Sequence, residues 1–187
     1  AGAPSSRLVT GTRGIAVALE ERLATFKGCE AALLIGSGFQ ANATVIPALA
    51  SLGDTLIFSD SLNHSSIVHG CRLAKAQTLI FRHNDLDHLD ALLRANAGYH
   101  GRRLIVTESV FSMDGDIAPL PELLELAVKH DALLVIDDAH GFGVLGYRGK
   151  GSLEHFNLLK ADGRERIVYM ATLGKAAGGY GAFVAGD

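Results

Sequence analysis

Cysteine is scarce in this chain: Cys29 and Cys71 are the two among 187 residues, far apart and in neither a C-x-x-C nor a zinc-ligand spacing. That argues against a disulfide framework and points to a reduced, cytoplasmic compartment. Blocks of like charge are also missing. Lysine and arginine number 17 against 20 acidic residues, for a net charge of -3. Such a balance leaves no electrostatic footprint for nucleic acid or an anionic membrane surface, so the expected partner is a small molecule. No apolar run approaches the roughly 20 residues needed to span a bilayer. The opening AGAPSSRLVTGTRG lacks the apolar core of a secretion signal. Internal repeats, low-complexity tracts and linkers are absent as well.

What is present is core-forming material in a regular order. At 48% hydrophobic the chain can bury a sizeable interior as one domain. IAVALEERLATF, residues 15 to 26, sets Ile15, Leu19, Leu23 and Phe26 at three- and four-residue steps, the pattern of an amphipathic helix. Short runs that are apolar on successive residues follow at 31–35, 54–59, 77–81, 103–108, 132–137 and 166–171. These read as strands buried on both faces. Between most of them lie stretches of helical length at 40–51, 64–75, 86–96 and 119–130, the last opened by Pro119 and Pro121. Strand and helix alternate, which predicts a largely parallel sheet covered by helices, joined by right-handed crossovers.

Sheets of this kind bind ligands outside the carboxyl ends of their strands. GSGFQAN follows the first strand, with Gly36 and Gly38 allowing a close turn into a helix that starts near Phe39 or Gln40. DSLNHSS follows the second and lifts His64 to the rim. ESVFSMDGD follows the fourth, with Glu108, Ser112, Asp114 and Asp116; the fifth ends in DDAHG, and the sixth in Thr172 and Lys175. Taken singly, each has an ordinary reading. A strand-end aspartate caps helices, glycine and serine form loops, and a loop lysine is solvated. The coincidence of five such strand ends argues for a site.

Several ligands are then in competition. A P-loop needs G-x-x-x-x-G-K-[ST], whereas Ala176 follows Lys175 and most of the nearby glycines come after the lysine. The dinucleotide fingerprint finds only GSGFQA, with alanine last and Asp60 as the one arguable ribose partner. A metal held by Asp137, Asp138 and His140 is chemically conceivable, but consecutive strand residues point to opposite faces. Pyridoxal 5'-phosphate accounts for more of the set. Its aldehyde requires a lysine amine, its ring nitrogen a carboxylate, and its phosphate amides and hydroxyls. Lys175, Asp137 and the SGF turn are those parts.

DDAHG and TLGK, preceded by SGFQAN, NHSS and TESVFSMDGD, resemble the large domain of the α-oxoamine synthases over essentially the whole chain. These are fold-type I pyridoxal-phosphate enzymes that condense an amino acid with an acyl thioester and release carbon dioxide. The resemblance implies an α/β fold, a three-layer sandwich with a mostly parallel central sheet. Residues 1–187 are then the cofactor-binding large domain, expected to lack an N-terminal segment and a C-terminal small domain. It implies that Lys175 carries the cofactor and later removes the α-proton, and that Asp137 pairs with the ring nitrogen. His140 reaches the phenolic oxygen with Ser112 nearby, and His64 stacks on the ring. Gly38, Phe39 and Thr172 hold the phosphate, and Glu108 is polar near the cofactor. A homodimer is implied too, with SSRLVTGTRG and its Arg7 and Arg13 approaching the site and the interface.

Within the family, SGFQAN, NHSSIVHGCRL, RHNDLDHL and DDAHGFGVLG are most similar to members that join alanine to a pimeloyl thioester. Members using glycine and acetyl-CoA tend to carry DSHA in place of DDAHG. Two departures bear on the acyl substrate: Phe142 stands where a threonine is usual, and KADGRER lengthens the segment before the sixth strand. A non-catalytic relative is expected to lack the lysine, and Lys175 is present.

Overall fold

A computed structural model describes residues 6–187; Ser5, which begins the SSRLVTGTRG stretch, lies outside them. Among the described residues, one mixed sheet runs through the molecule. Its strands are β1 (Ala31–Ile35), β2 (Thr55–Asp60), β3 (Gln77–Phe81), β4 (Arg102–Glu108), β5 (Leu133–Asp137), β6 (Ile167–Thr172) and β7 (Ala182–Gly186). Their spatial order is β1-β7-β6-β5-β4-β2-β3. From β3 to β6 every neighbouring pair is parallel, and β7 is antiparallel to both β6 and β1. The helices are α1 (Arg7–Thr10), α2 (Gly14–Lys27), α3 (Gly38–Ala50), α4 (Ser65–Leu73), α5 (Leu86–Ala95), α6 (Leu120–Lys129) and α7 (Ser152–His155). None of them is long and apolar enough to cross a membrane.

The period-two alternation of the strands sorts their side chains onto two faces and so produces three layers. Ile57, Leu104, Val106 and Val135 pack with Ile46 and Ala50 of α3 and with Ile67 and Cys71 of α4. Their sequence neighbours Leu56, Phe58, Ile105, Leu134 and Ile136 turn the other way, onto Leu89 and Leu93 of α5 and Leu120, Leu123 and Leu124 of α6. Each such side chain contributes about 1.5–3 kcal/mol by leaving water, which makes the register of the central strands hard to slip. Contact between α3 and α4 is close because Gly70 has no side chain. A β-carbon there would collide with the backbone carbonyl of Asn42.

Three expectations need correction. β7 was not foreseen, because AFVAG is short, rich in small residues and set among glycines, so it reads as loop. Burial on both faces holds for β2, β4 and β5, but Ala31 and Leu33 of β1 and Gln77 and Ile80 of β3 are exposed. Those two strands form the sheet edges, where a covering neighbour is missing on one side. Finally, α2 forms as expected but buries Leu23, Ala24 and Lys27 instead of its whole apolar stripe. Ile15 is 79% exposed, and Leu19 and Phe26 are also accessible.

Candidate active site

The parallel strands β2, β4, β5 and β6 all end on one edge of the sheet, and a cleft of about 220 Å³ opens there. It is lined by Gly38, Phe39, His64, Ser66, Glu108, Asp137, Ala139, His140, Thr172 and Lys175. Of the nine residues for which the resemblance implied a place at the cofactor, all but Ser112 are in this set; Ser112 is exposed on the loop after β4. Its backbone amide faces the Glu108 carboxylate, so the loop touches the site through main chain where a side-chain contact was expected. Arg7 does not line the cleft either: it pairs with Glu20 at 2.7 Å, and Glu20 also accepts the Leu34 amide. Arg13 is the exposed residue preceding α2.

Asp137 lies at the floor, 7% exposed. Its Oδ1 accepts the Ala139 amide at 3.0 Å and its Oδ2 accepts Asn42 Nδ2 at 2.7 Å. Burial raises its pKa against these two donors and against the charges of Lys175 and His64, and both groups that hydrogen-bond the carboxylate are neutral. Lys175 reaches in from the opposite wall. Its Nζ lies 2.6 Å from His140 Nε2, and desolvation lowers its pKa despite the attraction of Asp137 and Glu108. The same cleft lowers the pKa of His140, first by desolvation and then by the charge of Lys175.

The loop that presents Lys175 is a β6–β7 hairpin connection, which explains why the unforeseen strand matters. Leu173 N–H donates to Gly181 O at 2.8 Å and Gly179 N–H to Leu173 O at 2.7 Å, folding the segment back on itself. Thr172 Oγ1 donates to Gly181 O at 3.0 Å and accepts Gly174 N–H at 3.2 Å. Small residues follow the lysine because the chain must turn within a few positions: Gly178 and Gly181 both adopt positive φ. Across from Thr172, Ser37 caps α3 by accepting the Gln40 amide at 3.2 Å. The first-turn amides of Gly38 and Phe39 have no intrahelical partner and open on the cleft, a ready anion site.

Glu108 and His64 complete the rim. Glu108 Oε1 accepts the His64 amide at 2.6 Å, and Asn63 ties β2 to β4 by donating to Val106 O at 2.7 Å. Burial, then the like charge of Asp137, pushes the Glu108 carboxyl up to about 7. His64 Nδ1 meets Ser66 Oγ at 2.7 Å, and Ser66 Oγ accepts Asn42 Nδ2 at 2.9 Å. Asn42 and Ser66 were not assigned from the sequence. The available signal was a buried asparagine within the apolar helix FQANATVIPALA, a position where polarity has to be satisfied.

Asp138 points away from Asp137, as strand alternation requires, into the layer beneath. Its carboxylate accepts Ser109 Oγ, Tyr169 OH at 2.6 Å and the Ser152 amide at 2.9 Å. Lys27 Nζ sits over the Tyr169 ring, 3.4 Å from its centre, and donates to the Lys150 carbonyl. Desolvation pulls this lysine down to about 7 from 10.5. Between those values the unfolded chain holds the proton that the folded chain has shed, so stability rises with pH. The slope expected from this one group is up to about 1.4 kcal/mol per pH unit, and below pH 7 its penalty is present in full. Urea unfolding between pH 7 and 9 is expected to show that slope in the unsubstituted protein and its loss in Lys27→Met. Equal slopes in both would exclude a neutralising buried lysine.

A family model described as aminotransferase class I and II matches residues 1–187. The chain belongs to that family. Among curated members, 8-amino-7-oxononanoate synthase of Geobacter sulfurreducens is 54% identical over 184 residues, covering 98% of this chain and 46% of that protein. A solved serine palmitoyltransferase of Sphingomonas wittichii superposes with a TM-score of 0.89 at 36% identity, over 99% of this chain and 45% of its own. A serine palmitoyltransferase variant from S. paucimobilis, solved with a bound PLP–myriocin aldimine, gives a TM-score of 0.86 at 34% identity over 98% of this chain and 44% of its own. The chain thus spans about half the length of the aminotransferase-family relatives it matches. Its fold is the fold-type I architecture that the motifs implied.

Proposed function

We propose that residues 1–187 form the pyridoxal-phosphate-binding large domain of an α-oxoamine synthase that joins alanine to a pimeloyl thioester. The products are 8-amino-7-oxononanoate, carbon dioxide and free thiol, a step of biotin synthesis. The observation that carries this reading is one cleft lined together by an amine, a buried carboxylate and a helix N-terminus. The donor set fits the cofactor. Asp137 is hydrogen-bonded by two neutral donors only, so a protonated pyridine nitrogen would suit it, and the Gly38 and Phe39 amides with Thr172 suit a phosphate dianion. Curated relatives near half identity carry the synthase name, which favours this acyl substrate over the glycine and acetyl-CoA pair.

Bound pyridoxal phosphate supplies an aldehyde that condenses with amines and a protonated ring that takes up negative charge from the α-carbon of an attached amino acid. The protein's residues do the rest. Asp137 keeps the ring nitrogen protonated by offering a desolvated negative charge. Lys175 would hold the cofactor through Nζ and, as a free amine, would accept the α-proton of a bound amino acid. Desolvation favours the neutral amine that both duties need. His140, next to Nζ, would contact the phenolic oxygen, and His64 would cover the ring face with a flat imidazole. Glu108 holds the backbone of His64 in place.

The same reading makes the enzyme a cytoplasmic homodimer. Leu8, Val9 and Ile15 are 96%, 73% and 79% exposed at the start of the described chain, an apolar patch suited to a second copy. Free-thiol release with alanine, glycine or serine against pimeloyl, acetyl and palmitoyl thioesters tests the substrate assignment. Alanine with the pimeloyl thioester is expected to be fastest. Preference for glycine with acetyl-CoA, or serine with the palmitoyl thioester, would reassign the substrates within the same chemistry.

A further inference from the structure

The geometry points to Asn42 and Ser66 as positioning residues that set the tautomer of His64 and couple that ring to the Asp137 carboxylate. Hydrogen counting carries the inference. Asn42 is 2% exposed, and its Nδ2 has two hydrogens: one goes to Asp137 Oδ2 at 2.7 Å, the other to Ser66 Oγ at 2.9 Å. Ser66, also 2% exposed, is thereby an acceptor, and its single hydroxyl hydrogen is free to go to His64 Nδ1 at 2.7 Å. The Ser66 backbone amide, which can only donate, also meets Nδ1, at 3.2 Å. Nδ1 therefore accepts twice, and the neutral imidazole must carry its hydrogen on Nε2. Nδ1 is taken up by the start of α4, so the hydrogen on Nε2 is the one donor that the His64 ring can offer a ligand in the cleft it lines.

A single chain of hydrogen bonds, His64–Ser66–Asn42–Asp137, thus joins the ring proposed to cover the cofactor to the carboxylate proposed to hold its nitrogen. The close packing of α3 on α4 that Gly70 allows brings Asn42 to Ser66 and His64, and Asp137 joins them from the end of β5. The functional meaning of the chain rests on the reading given under Proposed function. Its geometric content does not depend on that reading. Asn42 orients one carboxylate oxygen while Ala139 N–H orients the other, so Asp137 cannot swing. Ser66 turns His64 from a rim residue into a ring with a defined donor edge.

The test uses the purified protein labelled with 15N at histidine, with and without added pyridoxal phosphate. The His64 signals are assigned by their loss in His64→Gln. Near pH 8 the unsubstituted protein is expected to show an unprotonated Nδ1 and a protonated Nε2. An Nδ1–H tautomer would overturn the proposal. Ser66→Ala is expected to populate both tautomers and Ser66→Thr to restore one; a tautomer indifferent to the hydroxyl would equally overturn it. In the loaded protein, Asn42→Ala is expected to slow α-proton exchange of bound amino acid by roughly 10- to 100-fold, the loss of one bond to a charged acceptor. Unchanged exchange would remove Asn42 from the positioning role. Borohydride reduction separates the two readings: absence of cofactor on Lys175 would defeat the proposed function while leaving the tautomer result standing.

Discussion

Lys175→Ala is expected to abolish covalent capture of pyridoxal phosphate while leaving the fold unchanged. Of the residues lining the cleft, Lys175 is the one with a primary amine, so its removal leaves no group with which an aldehyde can condense there. The amine is chemically prepared: desolvation lowers its pKa, and His140 Nε2 stands 2.6 Å from Nζ. Borohydride reduction and peptide mass analysis are expected to find a pyridoxyl group on Lys175 in the unsubstituted protein and on no residue in the variant. Turnover is expected to fall by roughly 10²–10⁴-fold or more, since both the anchor and the base are lost. The side chain is exposed on a hairpin loop, so unfolding free energy is expected to shift by no more than about 0.5 kcal/mol. A pyridoxyl adduct on another lysine would reassign the anchor, and retained turnover would reject the mechanism.

The parts of the molecule legible in the sequence are those where local pattern and global placement agree. Runs such as ALLVID and RLIVTE are too uniformly apolar for a surface strand, and their polar termini mark one edge of a parallel sheet. Lys175, Asp137, His64, His140, Glu108 and Thr172 were found in this way, each next to a strand end, and they share one cleft. What was not legible depends on partners distant in the chain. Asn42 is a polar residue in an apolar helix until Asp137, 95 residues later, explains it. Lys27 looks like a helix-terminal surface lysine, and only Tyr169 and Lys150 make its burial intelligible. β7 has no strand signature of its own because AFVAG is short and rich in small residues; pairing with β1 and β6 and the burial of Phe183 against Phe142 and Tyr169 hold it in place. For Ser112 a motif fixes the loop's course but not which of its atoms faces the site: here the main-chain amide meets Glu108 while the residue is exposed.

Asp137→Asn is expected to stabilise the unloaded protein and cripple the loaded one, a pair of opposite effects that a structural aspartate would not give. Burial raises the pKa of Asp137 above 3.8 because two neutral donors only partly replace its hydration. For an acid the sign is fixed: the ionised form is penalised in the folded state, and the penalty is absent below the unfolded pKa and complete above the folded one. Asparagine has nearly the same shape and removes that penalty; its single acceptor oxygen can take the Ala139 N–H, and its amide meets Asn42 once the Asn42 side chain turns its oxygen toward it. The unloaded variant is therefore expected to be more stable than the unsubstituted protein near pH 8 in urea unfolding, with the gain vanishing toward pH 4. With cofactor present the balance reverses, because the charge that was costly alone is the counter-ion of a protonated ring nitrogen. Losing one partner of such a desolvated pair costs about 3–5 kcal/mol, so α-proton exchange of alanine is expected to slow by roughly 10²–10³-fold and cofactor affinity to drop. Destabilisation of the unloaded protein together with unimpaired exchange would mean that Asp137 is a scaffold residue. The carboxylate at the floor of the cleft would then need another explanation for being kept buried with only neutral hydrogen-bond donors.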